Sequence, residues 1–320
     1  MEDKQFIYAV ARVRHHELSL LSDQFIDRLI HSESVKAALD TLNTQGWDGD
    51  DPDSILNNQE NSIWDFVSEL VDDLSVFDVF LLKNDCHNLK AAIKSSYMGL
   101  KPEDTPVLDR AITDPATVIK AVSEKDFSRL PESMQQSAAD ALEEIFRTHD
   151  GHMSDTIIDR ATLDAIRAAG KRSQTPVLSL YSEVTIASSD IKIAVRGADT
   201  KASREYFELA IAPCDTLDKD ELVSAALAGK DAVCEYLMRT KYADGVPELK
   251  KSISAFERWC DNLLIDYIKP QIHNPSTLGP VAAYILARQN EIKTVRIVIS
   301  GIENNLGDES IRERVRAMYV

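Results

Sequence analysis

The chain has 320 residues and a formal net charge of −17, from 36 basic and 53 acidic side chains. Its length allows two or three domains of ordinary size, and hydrophobic residues, at 44%, suffice for a sizeable core. Because so acidic a surface repels phosphate backbones and anionic headgroups, the composition argues against nucleic acid and against direct docking on lipid.

The sequence also argues against membrane insertion and secretion. No stretch approaches the roughly 20 apolar residues that a spanning helix needs. The N-terminus lacks the basic and apolar regions of a signal peptide. The four cysteines are scattered and form no C-x-x-C pair: Cys86, Cys214, Cys234 and Cys260. We therefore expect a reduced, cytosolic chain whose cysteines are small buried apolar residues.

Apolar residues recur at helical spacing along most of the chain. Clear stripes cover residues 18–29, 63–80 and 256–268. Alternation at period two is hard to find, and the best strand candidate, 175–186, fits equally well a helix that starts with Pro176. The predicted fold class is all-α.

Clusters of Gly, Pro and Asp predict the loops between these helices. They fall at residues 46–53, 99–106, 212–214 and 274–280. The last segment, 311–320, is predicted to be a short helix with Asp308 as its N-cap.

A weak internal repeat is the most informative feature. Residues 85–95, 187–197 and 291–301 share apolar and basic residues in the same order before small ones. Leu89, Ile191 and Val295 are equivalent in this register, 102 and 104 residues apart.

The period decides the kind of repeat. It is too long for helical solenoids and suits three homologous domains, at 1–111, 112–214 and 215–320. Upstream, 159–164 matches 261–266, again 102 residues apart. The alternative is that any three amphipathic helices can be aligned in this way.

Three stretches carry a family resemblance: Tyr8-Ala9-Val10-Ala11-Arg12-Val13-Arg14 at the N-terminus, residues 80–90, and residues 284–299 with 311–320. Together they resemble the C subunit of the archaeal and bacterial V/A-type rotary ATPases, which is similar to the d subunit of the eukaryotic vacuolar enzyme. The chain departs from the family pattern at Cys86, where an aromatic residue is common, at Asp190, in place of Asn, and at Thr294 in the third copy.

The resemblance implies a funnel of three similar helical domains around a pseudo-threefold axis. It implies a non-catalytic central-rotor subunit, peripheral on the cytoplasmic face of the membrane. Such a protein joins the central stalk, a coiled-coil stalk chain with its small companion, to the membrane proteolipid ring. It transmits torque for coupled ion transport, of hydrogen ions or sodium, and ATP synthesis or hydrolysis.

Polar residues of the repeat are the candidate partner-binding side chains: Asp85, Asn88, Lys90, Asp190, Lys192, Glu291 and Arg296. Asp85 and Asn88 share a helix face at i, i+3. Two roles are open for them. Asp85 can cap or pair locally and Asn88 can bind a neighbouring loop, or these residues can line the funnel wall and meet the stalk. The apolar members are predicted core: Leu89, Ile93, Val195, Val295 and Ile299.

Signatures of catalysis and nucleotide binding are missing. There is no G-x-x-x-x-G-K-[ST] and no G-x-G-x-x-G, so the chain has no recognisable phosphate loop. We predict no catalytic residue, no cofactor, no metal and no direct nucleotide. The alternatives are an unrelated all-helical adaptor, and a metal-dependent hydrolase that uses His149 and His152.

Other polar clusters are predicted to be structural. His149 and His152 suit a turn better than a metal site. Asp48, Asp50, Asp51 and Asp53 imitate a calcium loop, but Pro52 stands where a ligand is needed. Surface or helix-packing roles are expected for His15, His16 and His31.

The basic C-terminal cluster of Arg312, Arg314 and Arg316 stands out in so acidic a chain. A solvated or inter-domain helix and a partner-binding helix both fit it.

Overall fold

The computed structural model describes the backbone of residues 3–320 and the side chains of residues 6–320. Residues 1 and 2, at the start of the stretch compared with a signal peptide, lie outside this range. The described chain consists of α-helices, short 3₁₀ turns and loops without a strand, which confirms the all-α prediction. The helices are α1 Asp3–Glu17, α2 Asp23–Ile30, α3 Val35–Asn43, α4 Pro52–Ser68, α5 Asp78–Met98, α6 Pro115–Glu124, α7 Glu132–Thr148, α8 Gly151–Arg172, α9 Pro176–Thr200, α10 Arg204–Ala210, α11 Lys219–Ala228, α12 Lys230–Leu237, α13 Val246–Lys251, α14 Ile253–Ile268, α15 Gly279–Glu303 and α16 Asp308–Arg312.

Short polar residues start many of these helices, because their side-chain oxygens accept from backbone amides that lack a partner within the helix. Asp51 caps α4 in this way and exchanges two hydrogen bonds with Ser54, a capping box. Further caps act similarly at Ser22, Ser34, Asp114, Asp150, Ser203, Asp218 and Ser252. The acidic cluster at residues 48–53 thus contains a helix N-cap, Asp51.

The chain divides into two compact units. Unit 1 comprises residues 3–74, 175–177 and 245–320. Helix α15 packs against α1 and α4 in this unit, around fully buried side chains such as Trp47, Trp64 and Phe256.

Unit 2 comprises residues 75–174 and 178–244. In it, α5 packs against α6, α7 and α8, and its core includes Leu89 and Ile93. All five apolar residues predicted as core from the repeat are buried, which confirms that prediction. The division into three domains at residues 111 and 214 stays a prediction.

The elements recur at the spacing of the sequence repeat. Helices α5, α9 and α15 end at Met98, Thr200 and Glu303, and each leads into a short helical element. These short elements begin at residues 102, 204 and 308, so they are 102 and 104 residues apart. The element order therefore recurs at the same offsets as the sequence register.

The small residue at the end of the repeat has a packing role. A Cβ on Gly197 would lie 2.6 Å from Cζ of Phe207, and a Cβ on Gly301 would lie 2.7 Å from Cγ1 of Ile311. Both distances are too short for a real contact. Since Phe207 and Ile311 belong to the short helices α10 and α16, glycine lets each short helix pack directly on the long helix before it.

Two helix predictions were wrong in extent. The stripe 18–29 is interrupted, since α2 begins only after the Ser22 cap and Leu18 is 83% exposed. The stripe 63–80 is also two helices, because α4 ends at Ser68 and α5 begins at Asp78. By contrast, residues 176–186 are helical, since α9 begins at Pro176 as the alternative to a strand predicted.

The C-terminal segment departs most from its prediction. Helix α16 ends at Arg312, and its N-cap is Gly307 instead of Asp308. Beyond it, the backbone amides of Ala317 and Met318 donate to side chains of Asn262 and Asp23. Tertiary hydrogen bonds thus replace the helical ones that the periodicity predicted.

Candidate functional site

Among the candidate residues of the first repeat, Asp85 and Asn88 are buried, whereas Lys90 is partly exposed. The side chains of Asp85 and Asn88 are almost fully buried in unit 2. Oδ1 of Asp85 accepts a hydrogen bond from the amide of Thr113 at 2.9 Å. Asn88 donates to the carbonyl of Leu108 at 2.9 Å and accepts from its amide at 2.7 Å. Both side chains therefore hold the extended segment that follows α5.

The second repeat uses the same device. Asp190, 1% exposed on α9, accepts from the amide of Ala212 at 2.9 Å. Burial raises the pKa of Asp190 to about 8, since a carboxylate loses its hydration there. Burial likewise raises the pKa of Asp85 to about 6. We call the segments held in this way straps: residues 105–113, 211–217 and 313–320.

The third repeat holds its strap from a different position. Thr294 stands in the register of Asn88 and Asp190, and its hydroxyl oxygen is buried without a hydrogen-bond partner within the described chain. Asn290, one turn earlier on α15, donates to the carbonyl of Ala317 at 2.9 Å. Asn290 was not among the sequence candidates because it lies one residue before the segment 291–301. Its equivalent in the first repeat, Asn84, likewise donates to a strap carbonyl, that of Arg110, at 2.6 Å.

Glu291 belongs to a buried ionic cluster in unit 1. Its carboxylate accepts from Arg288 at 2.5 Å and from the amide of Leu21 at 2.6 Å. Arg288 also donates to Gln59, and its guanidinium lies 5.3 Å from the ring centre of Trp47. Burial raises the pKa of Glu291 to about 7. This cluster joins α15 to α4 and to the loop between α1 and α2, and it leaves Glu291 inaccessible from outside the chain.

The basic candidates are less buried, since Arg296 is exposed and Lys90 and Lys192 are half-buried. In unit 2, Lys90 pairs with Asp159 at 2.5 Å and lines a cleft of about 390 Å³ together with Lys83, Lys192 and Arg196. Arg196 was not a candidate, although it follows Lys192 by one helical turn in the repeat. The cleft therefore presents several cations on the faces of α5 and α9.

Arg296 lies in unit 1, exposed on α15. It lines a separate cleft of about 710 Å³ with Lys293, Arg314 and Arg316. Lys90, Lys192 and Arg296 occupy the same register of the three repeats. Partner binding by the seven candidates stays a prediction. Because the other four candidates are buried, these three cations are the ones that a partner could reach.

The C-terminal arginines have three different environments. Arg312 donates to Asp27 at 3.2 Å. Arg316 is buried and donates to Asp261 at 2.8 Å, whereas Arg314 is exposed. Since the strap is not helical, neither helix interpretation of the cluster applies to Arg314 and Arg316.

The histidine pair lies at a helix junction. His149 adopts a φ of 57° at the end of α7, and its Nδ1 lies 2.9 Å from the hydroxyl of Tyr97. His152 stacks on Tyr206. Among the side chains of residues 6–320, no three His, Cys, Asp or Glu residues converge as metal ligands would.

The other histidines and the cysteines occupy packing positions. His16 stacks on Phe66 with ring centres 3.7 Å apart, and burial lowers its pKa. His31 lies beside Arg312. Three cysteines are buried and Cys214 is half-buried, so the prediction of buried apolar cysteines is confirmed for three of the four.

Comparison with known proteins identifies the family. The family model described as ATP synthase (C/AC39) subunit matches residues 9–314. The C subunit of the V-type sodium ATPase of Enterococcus hirae is 22% identical over 96% of this chain and 97% of its own length. The C subunit of the A-type ATP synthase of Methanocaldococcus jannaschii is 23% identical over 96% of this chain and 85% of its own.

A third relative agrees with the first two. The C subunit of the A-type ATP synthase of Pyrococcus furiosus is 20% identical over 97% of this chain and 90% of its own length. Nowhere in residues 3–320 is a helix both long and apolar enough to cross a bilayer. With its helical repeats, its buried strap contacts and a match that runs almost from end to end, the chain belongs to the family of V/A-type ATP synthase C (C/AC39) subunits.

Proposed function

We propose that the chain is a non-catalytic central-rotor subunit. It joins the central stalk to the membrane proteolipid ring and transmits torque for coupled ion transport and ATP synthesis or hydrolysis. The family match over residues 9–314 carries this proposal, supported by relatives named as C subunits of a V-type sodium ATPase and of A-type ATP synthases. Its place is peripheral, on the cytoplasmic face of the membrane.

The proposed architecture is a funnel of three domains, 1–111, 112–214 and 215–320, around a pseudo-threefold axis. The recurrence of a long helix, a short helix and a strap supports three copies of one unit. Differences between the three copies, such as Thr294 in the third, are compatible with this architecture, because one rod-like stalk cannot offer three equivalent contacts.

Torque transmission needs stiffness more than reactive groups, and the straps contribute it. Asp85, Asn88 and Asp190 each hold a strap through a buried hydrogen bond to the backbone. Losing one partner of a buried bond costs about 1–3 kcal/mol, because the remaining group stays dehydrated. We propose that these residues serve the stalk site indirectly, by fixing the segments around it.

The direct stalk contacts are proposed for the accessible cations Lys90, Lys192 and Arg296, at one register of the three repeats. Long basic side chains combine an apolar stem with a charged head, which suits a mixed polar and apolar interface. The ring would contact other, polar loops.

Co-purification tests the function. The chain, tagged and co-expressed with the stalk proteins of its own genome, should elute with them as one stoichiometric complex in size-exclusion chromatography with light scattering. It should also bind detergent-solubilised proteolipid ring. A chain that is folded by circular dichroism yet binds neither stalk nor ring would refute the proposal.

A matched pair of variants tests the contacts. The triple variant Lys90→Ala, Lys192→Ala, Arg296→Ala should bind the stalk at least about tenfold more weakly, a loss typical of a few interface contacts. The control triple removes three exposed cations outside the repeat helices: Lys36, Lys120 and Arg204. Equal binding by both triples would remove the assignment of these contacts.

A further inference from the structure

A cationic cleft in unit 1 was not foreseen from the sequence. It lies between α14, α15 and the C-terminal strap, has a volume of about 710 Å³, and is called here the strap cleft. Its lining includes four cations and two apolar side chains: Lys293, Arg296, Arg314, Arg316, Ile297 and Leu306. The chain as a whole has a net charge of −17, so a cluster of four positive side chains is unexpected from its composition.

Only part of this charge is balanced inside the chain. Asp261 lies 2.5 Å from Nζ of Lys293 and 2.8 Å from Nε of Arg316. Arg296 and Arg314 are exposed, and neither forms an ion pair with any residue in 6–320. Two guanidiniums therefore face the cleft with their donors open to a ligand.

The tertiary structure builds the cleft from distant parts of the sequence. Arg296 comes from α15, whereas Arg314 comes from the strap that Asn262 and Asn290 hold at Ala317. Arg316 is nearly buried and donates to the carbonyl of Arg314, which fixes the backbone from which the Arg314 side chain extends. The anchored strap thus presets the position of one of the two open guanidiniums.

The chemistry of the lining selects a carboxylate ligand with apolar neighbours. Guanidinium groups bind carboxylates through paired N–H donors, and Arg is enriched at protein interfaces for this reason. Ile297 and Leu306 add an apolar wall for an aliphatic or aromatic side chain.

A bilayer is a poor occupant of the strap cleft. A flat anionic surface would meet the whole acidic chain, whereas a narrow protein segment can enter the cleft alone. Because charges in solution are screened beyond about 8 Å at physiological salt, the local cations dominate for such a segment.

We propose that the strap cleft binds an acidic segment of the central stalk, whose carboxylates pair with Arg296 and Arg314. This inference rests on the proposed function for the identity of the partner. It adds a specific electrostatic contact and assigns the C-terminal strap a place in it.

Binding measurements on the full chain test the inference. The probes are a fluorescein-labelled deca-glutamate peptide and the purified stalk proteins, at two salt concentrations. The double variant Arg296→Ala, Arg314→Ala should weaken binding of both probes at least about tenfold and reduce the salt dependence. The control double variant Arg204→Ala, Arg239→Ala removes two exposed cations at a distance in sequence and should leave binding unchanged.

The outcomes separate the cleft from the proposed function. If the wild-type chain binds the stalk and the cleft variant binds it equally well, the cleft assignment is overturned while the rotor function stands. If the peptide binds and depends on Arg296 and Arg314 but the stalk does not bind, the rotor function fails. Binding of phosphatidylglycerol vesicles that is lost in the cleft variant would overturn the choice of a protein segment.

A variant that keeps the positive charge separates the loss of binding groups from a loss of folding. The variant Arg296→Lys, Arg314→Lys retains both charges without the paired donors, and should regain most deca-glutamate binding but less of the stalk binding. Should it bind no better than the alanine variant while both unfold at the wild-type temperature, charge is not what the cleft contributes, and the inference is overturned.

Discussion

Replacing Gly197 by alanine tests the packing that underlies the repeat. The added Cβ would lie 2.6 Å from Cζ of Phe207, whereas ordinary contact requires 3.4–4 Å. The Phe207 ring is fully buried, so it cannot swing into solvent to make room. The clash must therefore be relieved by moving α10 or α9.

The size of the effect follows from two opposing terms. Alanine in place of glycine within a helix is worth about 1 kcal/mol in favour of folding. Overpacking a buried site costs about 1–3 kcal/mol, and more when backbone must shift. Because the contact is far below the ordinary distance, we expect the upper part of that range and a net loss of about 1–2 kcal/mol of unfolding free energy.

Urea unfolding followed by circular dichroism measures this loss, with Gly151→Ala as the matched control. Gly151 also lies in a helix, but a Cβ there would be 4.0 Å from its nearest neighbour, Cδ1 of Ile145. The control should be neutral or slightly stabilising.

A double-mutant cycle identifies the cause. The change Phe207→Leu removes part of the ring, so Gly197→Ala should cost less in that background than in the wild-type chain. If Gly197→Ala is as stable as wild type, or if its cost is the same with leucine at 207, the packing argument for the small residue is refuted.

Two further predictions concern buried ionisable groups. Burial raises the folded-state pKa of Asp190 to about 8 from 3.8, so the folded chain holds a proton that the unfolded chain releases. The resulting stability is complete below about pH 4 and is lost as the pH rises towards 8. Asp190→Asn, which still offers an oxygen to the amide of Ala212, should flatten the urea midpoint against pH in this window, and an unchanged slope would contradict the assignment. Arg288→Met leaves the Glu291 carboxylate buried without its cation, so the unfolding free energy should fall by about 3–5 kcal/mol at pH 8. The double variant Arg288→Met, Glu291→Leu should recover much of this loss. A double variant that is no more stable than the single one would show that the ion pair is not the cause.

Local patterns in the sequence predict the helices and the repeat. Apolar periodicity is a property of the chain itself, and it correctly gave the helical class and the buried positions Leu89, Val195 and Val295. The small residue that closes the repeat was visible as well, because Gly197 and Gly301 satisfy a steric demand that recurs in these two copies.

The roles of the polar repeat residues needed the tertiary structure. Asp85 and Asn88 are close in sequence to each other but bind Thr113 and Leu108, which lie beyond the end of their own helix. A helical pattern shows which residues share a face, but it does not show which loop covers that face. The burial of Asp190, and with it the raised pKa, has the same origin.

The C-terminal strap is the clearest case in which the sequence alone does not predict the structure. Residues 311–320 have helical periodicity, yet side chains of Asn262 and Asp23 bind the amides of Ala317 and Met318 and keep the strap extended. Sequence alone thus determined the helical class, the repeat and the family resemblance, because these depend on local spacing. Only the tertiary structure decided that Arg296 and Arg314 face one cleft, because that meeting depends on contacts between residues far apart in the chain.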